Sequence, residues 1–136
     1  MKIYLAASML HGQQFFQQST LIAQQLRKYG TILDEQVVDE TLSPFGEIDL
    51  TSREIFEREM KRIEECDIMI AEVSAPSRGV GYCIATAVGL HKRVVALYYG
   101  RHTDLLTTLI EGNPGVEVHT YYEKDLPELI QKIFAK

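Results

Sequence analysis

The sequence contains no tryptophan and only two cysteines, Cys66 and Cys83, which do not form a CxxC pair. Its four histidines are scattered along the chain, at His11, His91, His102 and His119. A disulfide-rich fold requires more cysteines, and a zinc site requires cysteines and histidines at short, fixed spacings. We therefore expect neither a disulfide framework nor a metal site, and the sequence indicates no cofactor.

Basic residues are also scarce. The chain has 14 lysines and arginines against 19 aspartates and glutamates, which gives a net charge of −5. Capture of a nucleic acid polymer needs an excess of positive charge, so no such partner is expected, although local donors can still hold one phosphate group. No apolar run approaches the roughly 20 residues of a membrane-spanning helix, so we expect no membrane partner and, by default, a cytoplasmic location.

The composition is that of an ordinary globular protein, with 46% hydrophobic and 24% charged residues. Apolar runs typical of buried strands alternate with segments of helical spacing. The predicted strands are 3–7, 31–33, 68–73, 94–98 and 116–121, and the predicted helices are 14–28, 51–66, 81–91, 103–112 and 126–134. We expect a single domain, 1–136, with a flavodoxin-like, three-layer α/β fold and a five-stranded parallel sheet of order 2-1-3-4-5.

The segment from Ser77 to Cys83 reads Ser-Arg-Gly-Val-Gly-Tyr-Cys and lies between a predicted strand and a predicted helix. Serine and glycine there leave backbone N–H groups free near the start of a helix, where the helix dipole favours an anion. The spacing matches neither the Walker nor the dinucleotide pattern, so the segment indicates a phosphate-sized site and no particular ligand. In a sheet of this order, the ligand crevice lies at the carboxyl ends of strands 1 and 3.

Glu59 has an unusual position for a charged residue, because it lies midway between two isoleucines on the apolar arc of the second predicted helix. Its carboxylate either reaches the edge of the crevice, where it can act as an acid or base, or pairs with Arg58, Arg62 or solvent. The pattern leaves both interpretations open. Tyr4, on the first strand, is either an ordinary core residue or a crevice residue that orients Glu59 through its hydroxyl.

Five segments spread along nearly the whole chain match a known family. They are Tyr-Leu-Ala-Ala-Ser at 4–8, Thr-Ile-Leu-Asp-Glu at 31–35, Cys-Asp-Ile-Met-Ile-Ala-Glu-Val at 66–73, Pro-Ser-Arg-Gly-Val-Gly-Tyr at 76–82 and Leu-Thr-Thr-Leu-Ile at 106–110. Together they resemble the 2′-deoxynucleoside 5′-phosphate N-hydrolases, which belong with the nucleoside 2-deoxyribosyltransferases. The resemblance implies a small homodimer that binds a nucleoside 5′-monophosphate and cleaves the N-glycosidic bond of a deoxynucleoside monophosphate, releasing the base and deoxyribose 5-phosphate.

The resemblance also implies roles for individual residues. Tyr4, Glu59 and Cys83 take catalytic positions; Glu59 replaces an aspartate of the family, and Cys83 replaces its nucleophilic glutamate. Gln36 replaces a histidine, and Thr107 replaces a serine that reaches the phosphate bound by the neighbouring subunit. The positions implied to bind the nucleotide are Ser8, Met9, Gln36, Ser77, Gly79, Gly81 and Thr107.

Cys83 changes the chemistry that the resemblance implies. A carboxylate beneath the anomeric carbon stabilises a cation-like sugar and can form a covalent intermediate, whereas a thiol has neither that charge nor that reach. A helix N-terminus can activate a cysteine as a thiolate, but a buried cysteine more often packs than reacts. Three functions stay open: hydrolysis at a reduced rate with Glu59 as the remaining carboxylate, noncatalytic nucleotide binding, and deoxyribosyl transfer between bases.

Overall fold

The computed structural model describes residues 1–8, 15–34 and 49–136 and shows a five-stranded parallel sheet with helices on both faces. The strands are β1 (Lys2–Ala6), β2 (Thr31–Ile32), β3 (Ile68–Glu72), β4 (Arg93–Tyr99) and β5 (Val116–Tyr121). The helices are α1 (Phe16–Leu26), α2 (Ser52–Glu65), α3 (Arg78–Gly89), α4 (Thr108–Glu111) and α5 (Leu126–Phe134), the last preceded by a 3₁₀ turn, Glu123–Asp125. The order β2-β1-β3-β4-β5 confirms the predicted topology.

Two apolar layers enclose the sheet. The layer on one face packs the strands against α1 and α5, which contribute Ile22 and Ile130 among others. The layer on the other face packs them against α2 and α3, which contribute Ile63 and Ile84. All five residues of β3 are buried, as expected for a central parallel strand covered on both faces, and this explains the continuous apolar run of its first four residues.

A capping box fixes the start of α2. The Thr51 hydroxyl accepts the Glu54 N–H at 3.1 Å, and the Glu54 carboxylate accepts the Thr51 N–H at 3.0 Å. One face of the helix turns towards the sheet, where Ile63 is completely buried. Residues four apart on a helix share a face, so Glu59 is directed towards the same side of the sheet as Ile63.

α3 begins at Arg78, which corrects the predicted start at Gly81. Ser77 is the N-cap, and its hydroxyl accepts the Val80 N–H at 3.1 Å. This cap satisfies a first-turn donor and starts the helix in spite of the glycines that follow. Gly79 and Gly81 therefore lie in the first turn of the helix, and not in the loop before it.

α4 covers Thr108–Glu111, which corrects the predicted helix over 103–112. Thr107 is the reason, because it takes the N-cap position with a ψ of 138° and its hydroxyl accepts the Leu109 N–H at 3.4 Å. A threonine side chain that bonds to nearby backbone competes with a continuing helix. The other predicted elements begin and end within two residues of the observed ones, and no helix of the described ranges is long and apolar enough to cross a membrane.

Candidate active site

The candidate site lies at the carboxyl ends of β1 and β3, the neighbouring strands where the winding direction of the sheet changes. Tyr4 comes from β1, Glu59 from α2 and Cys83 from α3. All three lie on the α2 and α3 face of the sheet, since Tyr4 belongs to the apolar layer there and Cys83 packs against it. Ser8 follows β1, and Ser77 follows β3.

Tyr4, Glu59 and Cys83 meet in one group. The Tyr4 hydroxyl donates to Oε2 of Glu59 at 2.8 Å and lies 3.8 Å from Sγ of Cys83. Burial raises the pKa of Tyr4 well above its ordinary value, and the neighbouring Cys83, Asp34 and Glu59 raise it further. The phenol therefore stays protonated and acts as a donor that orients the Glu59 carboxylate.

Two arginines hold the other oxygen of Glu59. Nη2 of Arg58 lies 2.8 Å from Oε1, and Nη1 of Arg62 lies 3.5 Å from the same atom. The Glu59 side chain is 15% exposed, so the pairing takes place largely out of bulk water. The Glu59 carboxylate thus faces the sheet and also pairs with arginines, and its role as an acid or base stays a prediction. The Tyr4 hydroxyl and the two guanidinium groups together hold both oxygens of the carboxylate.

Cys83 is not placed to be a thiolate. It is the sixth residue of α3, counted from Arg78, and the stabilising effect of a helix N-terminus fades beyond the first turn. Burial raises the pKa of the Cys83 thiol, and Glu59 and Asp34 add to the rise. The structure therefore does not support activation of this cysteine by the helix, and the group carries a neutral thiol at neutral pH.

The start of α3 offers donors to an anion. Among the described residues, the N–H groups of Arg78 and Gly79 have no hydrogen-bond partner, whereas those of Val80 and Gly81 bond to Ser77. A Cβ added at Gly81 would meet no described atom within 4 Å, and one at Gly79 would meet Ser77 Oγ at 3.9 Å. A ligand can thus approach the backbone of this turn closely.

The other residues predicted to bind a ligand are placed in three ways. Ser8 lies at the end of β1, and its Oγ is buried with no hydrogen-bond partner in the described part of the chain. Met9 and Gln36 lie outside the described residues. Thr107 is exposed at the start of α4, where its hydroxyl accepts the Leu109 N–H, and no hydrogen bond within the described residues joins its side chain to the Tyr4 group of the same chain.

Asp34 is a carboxyl group beside the site that the sequence analysis did not single out. It is 1% exposed, and its Oδ1 accepts the N–H of Leu5, the residue after Tyr4, at 2.9 Å. Burial raises its pKa to about 8, with Glu59 adding to the rise, and the Leu5 hydrogen bond and Arg62 oppose it. The available signal was its position directly after the second predicted strand, at the edge of the sheet where ligands bind.

We expect Asp34→Asn to stabilise the protein at mildly alkaline pH. Burial raises the pKa of Asp34 from 3.8 to about 8, so between these values the folded protein keeps a proton that the unfolded chain has released. The free energy of unfolding therefore falls as pH rises through this window, and it levels off above it. Asparagine keeps the oxygen that accepts the Leu5 N–H, so the variant should gain roughly 1 to 3 kcal/mol at pH 8 and little near pH 4.

Denaturant titrations of both proteins at the two pH values measure this difference. A gain of the same size at both values would show that Asp34 titrates as an ordinary carboxyl group.

The fold places this chain among α/β proteins with an open parallel sheet, a class in which ligands bind at the carboxyl ends of the strands. A family profile described as Nucleoside 2-deoxyribosyltransferase matches residues 3–121, from the first strand to the last. The chain belongs to the nucleoside 2-deoxyribosyltransferase family. This confirms the resemblance found in the five sequence segments.

Similar proteins match almost the whole chain. The 5-hydroxymethyl-dUMP N-hydrolase of Danio rerio is 31% identical over 137 residues, which cover 98% of this chain and 96% of the relative. The protein of the same name from Mus musculus is 30% identical over 136 residues, 97% of this chain and 79% of the relative. A solved structure of a CMP N-glycosidase from Clostridium botulinum has a similar fold, with a TM-score of 0.65 at 17% identity over 98% of this chain and 99% of that one.

Proposed function

We propose that this protein hydrolyses the N-glycosidic bond of nucleoside or deoxynucleoside 5′-monophosphates, releasing the free base and the sugar 5-phosphate. The observation that carries the proposal is the Glu59 carboxylate, which Tyr4, Arg58 and Arg62 hold on the same face of the sheet as the open start of α3. The names of the similar proteins point to the same bond, since they include a 5-hydroxymethyl-dUMP N-hydrolase and a CMP N-glycosidase.

We assign Glu59 to the reacting carbon of the sugar. When the C1′–N bond breaks, the base leaves with the bonding electrons and C1′ becomes positively charged. A carboxylate that is already fixed in place stabilises this charge without reorganisation, and the Tyr4 hydroxyl and two guanidinium groups fix Glu59. The oxygen of a water molecule then bonds to C1′, and the proton released by the water passes to Glu59 and on to the departed base.

We assign the 5′-phosphate to the start of α3. The N–H groups of Arg78 and Gly79, the Ser77 hydroxyl and the positive end of the helix dipole can all serve a phosphate oxygen there. No described atom fills the space beside Gly81, which leaves room for the group. The Ser8 hydroxyl, which has no partner among the described residues, lies across the crevice after β1 and supplies a further donor or acceptor for the nucleotide.

We expect Ser77→Ala to weaken the binding of a nucleoside monophosphate by about 1 to 3 kcal/mol, because a charged acceptor loses a hydrogen-bond donor. Binding of the unphosphorylated nucleoside should not change. Thr51→Ala is a matched control, since it also removes an N-cap, but from α2, and it should leave both affinities unchanged. Titration calorimetry measures all of these values. If the wild-type protein binds the nucleoside as tightly as its monophosphate, the phosphate assignment is wrong.

We also propose that the protein acts as a homodimer in which Thr107 reaches the site of the neighbouring subunit. Thr107 lies between Leu105 and Leu109, which are 90% and 82% exposed. Large apolar side chains this exposed are typical of surfaces that a partner covers, and the family resemblance assigns the equivalent serine to the neighbouring phosphate. Sedimentation equilibrium should show a dimer. A monomer throughout the micromolar range would contradict the proposal.

Incubation with a panel of nucleoside and deoxynucleoside 5′-monophosphates tests the proposed reaction. Free base and sugar 5-phosphate should appear in equal amounts. A nucleotide that binds without releasing base would support the noncatalytic function, which is favoured by one observation: a cysteine, Cys83, stands at the position that the resemblance gives to a glutamate. Exchange of the base when a second free base is added would instead show deoxyribosyl transfer.

A further inference from the structure

Glu72 is a buried carboxyl group that the proposed reaction does not use. It is the last residue of β3 and is 3% exposed. Its side chain contacts Tyr121 in the α1 and α5 layer, on the face of the sheet opposite to Tyr4 and Cys83. Burial raises the pKa of Glu72. A carboxyl group in such a place costs folding free energy unless its oxygens are hydrogen-bonded, so both oxygens are expected to have partners.

Both oxygens of Glu72 have partners within the chain. Tyr121, at the end of β5, donates its hydroxyl hydrogen to Oε2, and Ser74 donates its backbone N–H to Oε1. Ser74 is held a second time, because its Oγ accepts the N–H of Tyr99 on β4 at 2.8 Å. The bend directly after β3 is therefore fastened to β4 and β5.

A short and stiff link joins this bend to α3. Ser74 lies three positions before Ser77, the N-cap of the helix, and only Ala75 and Pro76 separate them. Proline fixes its own φ and restricts the conformation of the residue before it, so the link has little backbone freedom. A fixed Ser74 therefore sets the position of Ser77 and of the first-turn N–H groups.

We propose that Glu72 is a positioning residue for the phosphate-binding start of α3, an inference that rests on the proposed function. It acts through Ser74, and it lies on the face of the sheet opposite to the Tyr4 group. A leucine at this position would suit the apolar surroundings of β3 equally well. It would, however, leave the Ser74 N–H without an acceptor and free the bend that leads to Ser77.

Dissociation constants of a nucleoside 5′-monophosphate and of the matching nucleoside, measured by calorimetry for each variant, test this role. The readout is the dissociation constant of the nucleoside divided by that of the monophosphate. This ratio measures the preference for phosphate. Glu72→Ala removes the acceptor of the Ser74 N–H, and we expect it to lower the ratio about tenfold. Glu72→Gln keeps an oxygen for Ser74 and should leave the ratio within about twofold of the wild type.

Tyr121→Phe is the matched control for a loss of stability alone. It removes the hydroxyl that serves the same carboxyl group but keeps the bond from Ser74, so the melting temperature should fall while the ratio stays unchanged. An unchanged ratio in Glu72→Ala overturns the role of Glu72. A ratio that falls as much in Tyr121→Phe as in Glu72→Ala overturns it too.

Glu72→Leu answers the same question if Glu72→Ala does not fold. It fills the apolar site, also removes the acceptor of the Ser74 N–H and should lower the ratio about tenfold, and an unchanged ratio overturns the proposal. A wild-type protein that binds nucleoside and monophosphate equally gives a different result, because it overturns the phosphate site itself and this inference with it.

Discussion

Cys83→Glu is expected to raise the rate of N-glycosidic hydrolysis by roughly 10² to 10³, the rate factor that one preorganised group stabilising the transition state typically contributes. The thiol it replaces is neutral and lies 3.8 Å from the Tyr4 hydroxyl, in the same group as Glu59. A glutamate there places a second carboxylate beside the forming cation, at the position that the family resemblance gives to the nucleophile. Single-turnover rates with a deoxynucleoside monophosphate measure the gain.

Cys83→Gln is the matched control, because its side chain has the length of glutamate but no charge, and it should remain as slow as the parent. The new carboxylate of Cys83→Glu lies near Glu59 and Asp34, so we expect a stability lower by about 1 to 2 kcal/mol and compare rates well below the melting temperature. If Cys83→Glu binds nucleotide and is still as slow as the parent, the chain lacks more than one catalytic group, and noncatalytic binding is the better account.

The sheet topology was predictable because the sequence patterns that indicate it do not depend on individual side-chain contacts. The first four residues of the central strand, Ile68–Glu72, are apolar, and such a run fits a parallel strand covered on both faces. Helical segments between successive strands then require parallel, right-handed crossovers. These rules restrict the sheet order before any side-chain contact is known.

The starts of two helices were not predicted, because capping residues and glycines gave competing local signals. At α3 the hydroxyl of Ser77 outweighed two glycines and began the helix three residues early. At α4 the hydroxyl of Thr107 bonded to the backbone and shortened the helix to four residues. Helix propensity spans less than about 1 kcal/mol per residue, so a single cap is enough to move a boundary.

The candidate site was predictable in part. The place of Glu59 on an apolar arc indicated a carboxylate turned towards the sheet, and Tyr4 donates to it as one interpretation required. The partners of Glu72 could not be found in the same way, because Tyr121 is 49 residues away in sequence and meets it only through the sheet register. The raised pKa of Asp34 depends on burial by several elements, which local sequence patterns do not report.

Glu59→Gln is expected to lower hydrolysis by roughly 10² or more, because the variant loses the negative charge that we assign to the forming sugar cation. Glutamine has nearly the same size and keeps an oxygen for the Tyr4 hydroxyl, but it turns an amide NH₂ group towards Arg58 and Arg62, so we expect a lower melting temperature and compare rates well below it. Calorimetry should show that the variant still binds the nucleoside monophosphate. Glu59→Asp is the matched control: it keeps the charge, is the residue that the family resemblance places here, and should retain most of the activity.

The same substitution in the Cys83→Glu background decides whether the two carboxylates work together. Groups that act as a unit show strongly non-additive effects, so Cys83→Glu should bring little gain once residue 59 is glutamine, and Glu59→Gln should cause a larger fold-loss in the Cys83→Glu background than in the parent. Rates of the two single variants and the double variant, measured under one set of single-turnover conditions, complete the cycle. An equal fold-loss in both backgrounds would mean that the carboxylates act independently. Full activity of Glu59→Gln in either background would remove Glu59 from the chemistry and leave the Tyr4 hydroxyl without a catalytic group to orient.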